Sequence, residues 1–296
     1  MLLSMISNSV IEFGKNAVYD ESDNQVLHLA RKSMEPLFNE AVKKSPAYLI
    51  AATTCPDSIA PSLGQKLCEK FPEVLSTAHV IDMVQGCAGG VNALILGTRL
   101  ALQTHESVLV IASDAARKSV SKKNDNIDTF GNGAAAHLIQ NQNSGDIKFL
   151  HSKSRHYPEL TDVVTIKLGH DSQKVFNQGP QFLEDPREHL GLKMDDDLAL
   201  KLLKKTESFY NEFLEESEKP DVMVFHQVNP RIISLLKKFF MNKGIEFYDY
   251  SSISGNCGAA SVGIVLDREK ENVTSKKVFL CGFGTGGIIT AGLWQF

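Results

Sequence analysis

The sequence predicts an α/β protein with buried strands, built from two related halves. Short apolar runs alternate with segments of helical spacing, and these runs are apolar throughout, which is typical of strands covered on both faces. A second observation is a weak internal repeat, in which a strand, a Gly-flanked polar turn, an apolar helix and a buried strand occur in the same order twice. The two copies begin near residues 80 and 248. This repeat predicts a duplicated βα unit.

Length and composition fit this class. The chain has 296 residues, which predicts two domains at about 150 residues each, and we place them at residues 1–145 and 146–296. Apolar residues make up 43% and the formal net charge is −4. These values exclude a disordered tail, a collagen-like fibre and a coiled-coil rod. The slight acidic excess argues against a dedicated nucleic-acid binder.

The first half contains two βα units in close succession. Residues 48–52 are a short apolar run, and residues 60–71 have helical spacing. Residues 80–84 are strand-like and are followed, after a Gly-rich turn, by an apolar helix at residues 90–103. Residues 107–112, which are apolar after Ser107, are typical of a buried parallel strand.

The second half continues the alternation. Apolar positions between residues 202 and 214 predict an amphipathic helix that ends before Pro220. A strand at residues 222–225 is followed by a helix at 230–241, and further strands are predicted at 248–253 and 278–281.

The C-terminal segment requires a separate interpretation. From Val278 to Phe296 there is no charged residue, over a length close to that of a membrane-spanning helix. Five glycines interrupt the segment, however. We therefore expect two buried strands joined by a Gly-rich turn.

The cysteines and the N-terminal residues indicate in which cellular compartment the protein is found. The five cysteines include no C-x-x-C pair, so neither a disulfide framework nor a zinc site is predicted. The N-terminal residues lack the positive and continuous apolar regions of a signal peptide. We expect a cytoplasmic protein.

Cys87 is the first candidate for chemistry. It lies in the sequence Gln-Gly-Cys-Ala-Gly-Gly directly before an apolar helix, where backbone N–H groups and the helix dipole favour a thiolate. The alternative is a small buried cysteine packed at a tight turn. Cys257 lies in a comparable turn, and local spacing does not choose between the two.

His226 and Asn256 are the next candidates. His226 follows the strand at residues 222–225, and ligands of α/β sheets bind beyond the carboxyl ends of strands. It is therefore a candidate base or hydrogen-bond donor. The alternative is a histidine with a purely structural role, either hydrogen-bonded in the core or capping a helix. Asn256 lies at another strand-to-helix turn, where asparagine often has only a structural role.

The segment Gly282–Gly287 matches the dinucleotide-binding pattern G-x-G-x-x-G. Only nine residues follow it, too few for the helix and strand that such a site requires. We interpret it as a tight turn that presents backbone N–H groups.

Taken together, these segments resemble the thiolase-fold condensing enzymes, most closely the β-ketoacyl-acyl carrier protein synthase III group. Four blocks carry the resemblance, in the order found in that family. They are Asp82–Gly90 around the nucleophile, Phe130–Ala136 with Asn132 where the family has Asp, Phe225–Ile233 around the histidine, and Ser254–Ser261 around the asparagine.

The resemblance implies a five-layered αβαβα fold and a role for each site residue. Cys87 would be the nucleophile that carries the acyl group as a thioester. His226 and Asn256 would hydrogen-bond the carbonyl oxygen of the second substrate. The backbone N–H groups of Cys87 and Thr285 would form an oxyanion hole, and Cys257 falls at a variable position without a role.

The resemblance also implies substrates and partners. Thioesters of coenzyme A or acyl carrier protein would be substrates in fatty acid or polyketide-type biosynthesis, without a prosthetic cofactor or metal. Asn229 and Arg231 would contact substrate, and the protein would form a homodimer or pair with a related subunit. The N-terminal Trp and Arg with which the family grips coenzyme A have no match, since Trp294 is the only tryptophan. A carrier-protein donor, or an ester- or amide-forming reaction, is therefore an open alternative.

Two other functions compete with this one. A cysteine hydrolase could use the same three residues, with Asn256 orienting His226. A hydrogen bond between Asn256 and His226 would favour that arrangement, whereas in a condensing enzyme both side chains point at the substrate. The other alternative is a non-catalytic subunit, which the presence of all three residues argues against.

Overall fold

Two five-stranded mixed sheets form the frame of the protein in a computed structural model. The structure describes residues 2–14, 25–40, 45–120, 127–142, 145–162, 164–166, 192–194 and 198–296. The strands of the first sheet are β1 (Leu3–Glu12), β2 (Tyr48–Thr53), β3 (His79–Val84), β4 (Val108–Ala115) and β5 (Asn132–Asn141). Those of the second are β6 (Lys148–His156), β9 (Val222–Phe225), β10 (Glu246–Tyr248), β11 (Lys277–Gly284) and β12 (Ile288–Gln295). The first sheet has the order β1-β5-β4-β2-β3 and the second β10-β9-β11-β12-β6.

Helices connect and cover the strands, and a short pair of strands stands apart from the two sheets. That pair consists of β7 (Val164–Ile166) and β8 (Leu192–Met194). The helices are α1 (Gln25–Glu40), α2 (Leu63–Lys70), α3 (Pro72–Leu75), α4 (Gly89–Thr104), α5 (Leu198–Leu214), α6 (Pro230–Met241) and α7 (Ser261–Arg268).

The elements stack in five layers. Helices α4 and α7 share one apolar core with residues from both sheets, so they form the middle layer. Helix α1 and part of α2 cover the outer face of the first sheet, and α5 and α6 cover that of the second. The predicted αβαβα architecture is confirmed. Each middle helix is buried on most of its surface, which explains why both are apolar around nearly their whole circumference.

The two middle helices begin in the same way. A short 3-10 turn at Gly86–Ala88 leads directly into α4, and a second at Gly258–Ala260 leads into α7. The predicted repeat corresponds to these two units. The first sheet uses strands that end by Asn141 and the second uses strands that begin at Lys148, while the domain division at residues 145 and 146 stays a prediction.

Several predicted boundaries were wrong. Residues 249–253 form a turn after β10 instead of continuing the strand, because Asp249 accepts hydrogen bonds from Ser251 and the Tyr250 carbonyl accepts from the N–H groups of Ile253 and Ser254. Helix α5 ends at Leu214, before Pro220 as predicted. Strand β1 and helix α1 were not predicted at all.

The uncharged C-terminal segment is a β-hairpin. Strands β11 and β12 pair antiparallel along their whole length, and both are buried within the second sheet. Trp294 is fully buried and donates a hydrogen bond to Thr98 on α4. Within the described ranges, no helix is long and apolar enough to cross a membrane.

Candidate active site

Cys87 lies at the junction of β3 and α4, in the middle of the 3-10 turn. Its side chain is half-buried, and burial together with the Asp114 carboxylate raises the pKa of the thiol to about 12. Hydrogen bonds from the Thr54 hydroxyl and from the Cys87 N–H act in the opposite direction but are outweighed. The resting side chain is therefore a protonated thiol, and a base must remove its proton before it can attack.

The turn that joins β11 and β12 packs against the Cys87 turn. Gly86 has a φ of +57°, and a Cβ at this position would collide with the Thr285 side chain and lie 3.0 Å from the Thr285 nitrogen. Only glycine allows this approach. The backbone of Thr285 therefore packs against Gly86, the residue directly before Cys87. An oxyanion hole formed by the N–H groups of Cys87 and Thr285 stays a prediction.

His226 and Asn256 meet in the second half. His226 follows β9, its N–H donates to the Cys281 carbonyl, and its side chain is buried. The distance between His226 Nε2 and Asn256 Oδ1 is 2.8 Å. The two residues lie 30 positions apart in the chain. His226 directly follows β9, whereas Asn256 lies beyond the turn that follows β10.

The orientation of the Asn256 amide assigns the hydrogen between the two side chains. Asn256 Oδ1 also accepts from the Gly258 N–H at 2.9 Å, and Asn256 Nδ2 donates to the Val228 carbonyl at 3.2 Å. Because backbone groups orient the amide in this way, the oxygen faces the ring, and His226 Nε2 carries the hydrogen. The buried Nδ1 of His226 has no hydrogen-bond partner among the described residues.

This hydrogen bond is the feature that sequence reasoning assigned to a hydrolase. In the resting structure, Asn256 orients His226: the Nε2 hydrogen of His226 points at Asn256 Oδ1, and one Nδ2 hydrogen of Asn256 is donated to Val228. On this criterion alone, the geometry favours the hydrolase arrangement.

The Asn256 turn is supported by the block at residues 130–136. Asn256 donates its N–H to the Thr129 carbonyl at 2.8 Å, and its own carbonyl accepts from Gly131 at 3.0 Å. A Cβ on Gly131 would collide with the Ser254 carbonyl. The Phe130–Ala136 block therefore acts as a backbone support for the asparagine.

The turns of the two halves are in contact. A Cβ on Gly90 would collide with the Ala259 carbonyl, and a Cβ on Gly258 would collide with Asp114. The Cys87 turn and the Asn256 turn consequently face each other where the middle layer meets the sheets.

The remaining predicted residues lie in different surroundings. Asn229 caps α6, because its side-chain oxygen accepts the Ile232 N–H at 2.9 Å. Arg231 is exposed on the first turn of α6. A role for either in substrate binding stays a prediction. The buried thiol of Cys257 donates to the Ser254 carbonyl at 3.2 Å, and burial strongly raises its pKa, which is typical of a structural cysteine.

Sequence reasoning missed a buried polar group beside Cys87. Asp114 is fully buried at the end of β4 and accepts hydrogen bonds from Thr53 and Thr54 of the first half and Ala259 of the second. Its signal in the sequence was a carboxylate two positions after the apolar run that ends at Ala112. A carboxylate at such a buried position needs a specific hydrogen-bond network.

Two buried imidazoles predict a loss of stability in acid. Burial lowers the pKa of His226 and of His137 to about 4, whereas an unfolded histidine has a pKa of about 6.5. Between these values the unfolded chain binds more protons, so the free energy of unfolding falls as the pH drops from 6.5 towards 4. Each imidazole contributes on the order of 3 kcal/mol to this loss. Urea unfolding at a series of pH values measures it.

The variant His137→Gln isolates one of the two contributions. Carboxylates titrate alike in both proteins, so we expect the variant to lose less stability than the wild type over the same pH interval. An equal loss in the two proteins would contradict the assignment.

Comparisons with known proteins agree with this geometry. The family model for 3-oxoacyl-[acyl-carrier-protein] synthase III matches residues 81–158, and the model for its C-terminal part matches residues 216–296. Together they cover more than half of the chain and include the turns of Cys87, His226 and Asn256.

Curated relatives and solved structures include several proteins named synthase III. β-Ketoacyl-[acyl-carrier-protein] synthase III of Streptococcus agalactiae is 28% identical over 259 residues, covering 81% of this chain and 74% of the relative. The Enterococcus faecalis protein of that name is 25% identical over 283 residues, covering 92% and 84%. The Aquifex aeolicus structure of 3-oxoacyl-[acyl-carrier-protein] synthase III has a TM-score of 0.77 at 17% identity, covering 100% of this chain and 98% of the other. A structure of OleA from Xanthomonas campestris has a TM-score of 0.72 at 17% identity, covering 100% and 99%.

Family models, relatives and fold therefore lead to one conclusion. The chain belongs to the 3-oxoacyl-[acyl-carrier-protein] synthase III family, and it is an acyl-transferring condensing enzyme with the thiolase fold.

Proposed function

We propose that Cys87 takes an acyl group from a thioester and passes it to a malonyl-thioester carbanion, in fatty acid or polyketide-type biosynthesis. The observation that carries this proposal is the meeting of two turns, one with Cys87 and the other with Asn256 and its partner His226, in a chain of this family.

In the first step the Cys87 sulfur attacks the carbonyl carbon of the donor thioester. The negative charge that develops on the oxygen is stabilised by the N–H groups of Cys87 and Thr285. Collapse of the tetrahedral intermediate breaks the carbon–sulfur bond of the donor and releases its thiolate. The acyl group is then held on Cys87 as a thioester.

In the second step the malonyl thioester loses carbon dioxide. The electron pair of the broken carbon–carbon bond moves towards the thioester oxygen, where His226 and Asn256 supply hydrogen bonds. The carbanion attacks the acyl carbon on Cys87 and expels the Cys87 thiolate. Asn256 Nδ2 has two hydrogens and donates one of them to Val228 in the resting structure, so the second is available to the thioester oxygen. The Nε2 hydrogen of His226 is engaged with Asn256 Oδ1 and must exchange that acceptor for the substrate oxygen.

Substrate contacts and partners form a finer part of the proposal. Arg231 is exposed near the His226 strand end, where a cation suits a phosphate of coenzyme A or of the carrier-protein prosthetic arm. Association as a homodimer or with a related subunit is proposed from the resemblance. A cytoplasmic location suits the proposal because Cys87 must remain reduced.

Mass spectrometry tests the proposed function. The intact protein is incubated with a panel of acyl-coenzyme A and acyl-carrier-protein thioesters, and the adduct is mapped by peptide analysis. We expect a stable acyl adduct on Cys87, with the best-loaded chain indicating the donor class. Addition of malonyl thioester, an alcohol or an amine to the loaded protein then identifies the acceptor by its product. Absence of any adduct and any thioester consumption would contradict the proposal.

Thioester hydrolysis is a second candidate, favoured by the hydrogen bond between His226 and Asn256. The loaded protein distinguishes the two functions. A hydrolase releases free acid at the same rate with or without an acceptor, whereas a condensing enzyme holds the adduct until malonyl thioester arrives and then forms a ketone with release of carbon dioxide.

A further inference from the structure

Asp114 is a buried carboxylate that connects the two halves of the protein at the proposed site. Its Oδ1 accepts from the Thr53 hydroxyl at 2.8 Å and from the N–H groups of Thr54 and Cys55 at 2.7 and 3.4 Å. Its Oδ2 accepts from the Thr54 hydroxyl and from the Ala259 N–H, both at 2.6 Å. The first three residues lie at the end of β2, whereas Ala259 belongs to the turn of Asn256. One side chain therefore holds that turn to the first half.

The Ala259 N–H follows directly after the backbone group that orients Asn256. The Gly258 N–H donates to Asn256 Oδ1 at 2.9 Å, and the next N–H along the chain, that of Ala259, donates to Asp114. Both residues belong to one 3-10 turn, and the peptide group between them is planar and rigid. Because the carboxylate fixes this peptide group, it limits how Gly258 can present its own N–H to Asn256.

Packing around Gly258 leaves this turn little room to shift. A Cβ on Gly258 would collide with Asp114 and lie 2.9 Å from the Thr54 hydroxyl oxygen. Its φ of +54° is in the left-handed region that favours glycine. The Ala259 carbonyl contacts the first turn of α4, where a Cβ on Gly90 would collide with it. The turn is therefore held by a hydrogen bond and by close contacts to the first half.

Asn256 is the residue through which this turn reaches the substrate. Its Oδ1 accepts from His226 Nε2 as well as from Gly258, and one of its Nδ2 hydrogens is donated to Val228. The second Nδ2 hydrogen is available to the thioester oxygen in the proposed condensation. A shift of the Gly258 N–H would turn the amide and move that hydrogen away from the oxygen.

We propose that Asp114 is a positioning residue for the condensation step, which holds the Asn256 turn against the first half and thereby keeps the Asn256 amide directed at the substrate oxygen. The inference rests on the proposed roles of Cys87 and Asn256. Asp114 acts through the peptide group between Gly258 and Ala259 and takes no part in making or breaking bonds. Because acylation of Cys87 does not use Asn256, loss of Asp114 should affect the second step and spare the first.

The variant Asp114→Asn removes the contact to the second half selectively. Three donors meet Oδ1, two of them backbone N–H groups, so the amide oxygen of the variant takes that place and its NH₂ group replaces Oδ2. The Thr54 hydroxyl can rotate to accept from the NH₂ group, whereas the Ala259 N–H loses its acceptor. We expect condensation to slow by about 100-fold, the effect that a small misplacement of a catalytic group can have.

The acylation rate separates positioning from a general structural role. Burial and, after it, the Asp114 carboxylate raise the pKa of the Cys87 thiol. Removal of the negative charge favours the thiolate, so stopped-flow acylation of Cys87 in Asp114→Asn should be as fast as in the wild type or faster. Damage to the fold as a whole would instead slow both steps.

Thr53→Val is the matched control for Asp114→Asn. It removes a buried hydroxyl from Oδ1 of the same carboxylate and leaves the bond to Ala259 in place, so both rates should stay close to those of the wild type. Gly258→Ala is a second variant that decides the question if Asp114→Asn does not fold. Its Cβ displaces the carboxylate from the Ala259 N–H, and we expect slow condensation with acylation retained.

Three results would overturn the proposal. They are condensation at the wild-type rate in Asp114→Asn, equal losses in acylation and condensation, and slow condensation in Thr53→Val as well. In each case the wild type still acylates Cys87 and forms the ketone. Failure of the proposed function is distinguishable, because it leaves the wild type itself without an acyl adduct or without the ketone product.

Discussion

The variant Cys87→Ala is expected to lose acyl transfer by on the order of 10⁴-fold or more while retaining the fold. Without the sulfur no acyl thioester can form, and neighbouring groups cannot replace it as a nucleophile. The side chain is half-buried, so removal of one sulfur atom should cost about 1 kcal/mol of stability or less. Turnover with the best donor and the urea midpoint measure the two effects.

Cys68→Ala is the matched control for this variant. Cys68 is also a half-buried free thiol, but it lies on α2, away from both turns. This variant should keep full turnover and the adduct on Cys87. Full turnover in Cys87→Ala, or an adduct that maps to Cys68, would contradict the assignment of the nucleophile.

His226→Ala and Asn256→Ala are expected to slow condensation by about 10²- to 10³-fold each, the usual effect of losing one oxyanion donor. Acylation of Cys87 should change much less, because neither side chain is among the groups that act on the thiol. Stopped-flow acylation and carbon dioxide release measure the two steps separately. The variant His137→Gln controls for the loss of a buried imidazole, since His137 lies on β5 and pairs with Ser7.

The same two variants separate the two candidate functions. In a hydrolase His226 would serve both formation and hydrolysis of the acyl enzyme, with Asn256 orienting it. Both steps would then fall together in both variants. Equal losses in acylation and in the later step would therefore rule out the division of roles proposed for the condensing enzyme.

Much of the site could be predicted because its residues lie in local patterns. The Cys87 turn combines small residues with an apolar helix that follows it, and His226 directly follows an apolar strand. Asn256 lies in the equivalent turn of the second half. Each pattern is continuous in the sequence, and the resemblance to a known family assigned a role to each residue.

Other features depended on residues distant in the chain. Asp114 gains its significance from Thr54, 60 positions earlier, and from Ala259, 145 positions later. Strand β1 is partly exposed and its polar residues obscure the strand pattern, so only its pairing with β5 identifies it. The end of β10 at Tyr248 depends on hydrogen bonds made by the following turn.

The α/β class, the two related halves and the three candidate residues of the proposed site could be predicted from the sequence, because apolar periodicity and short turns are encoded locally. The hydrogen bond from His226 to Asn256 and the presence of the buried Asp114 near the Cys87 thiol could be recognised only in the folded chain. Those two features arise where the turns of the two halves meet, and hydrogen-bond direction across such a contact depends on backbone atoms from several distant segments.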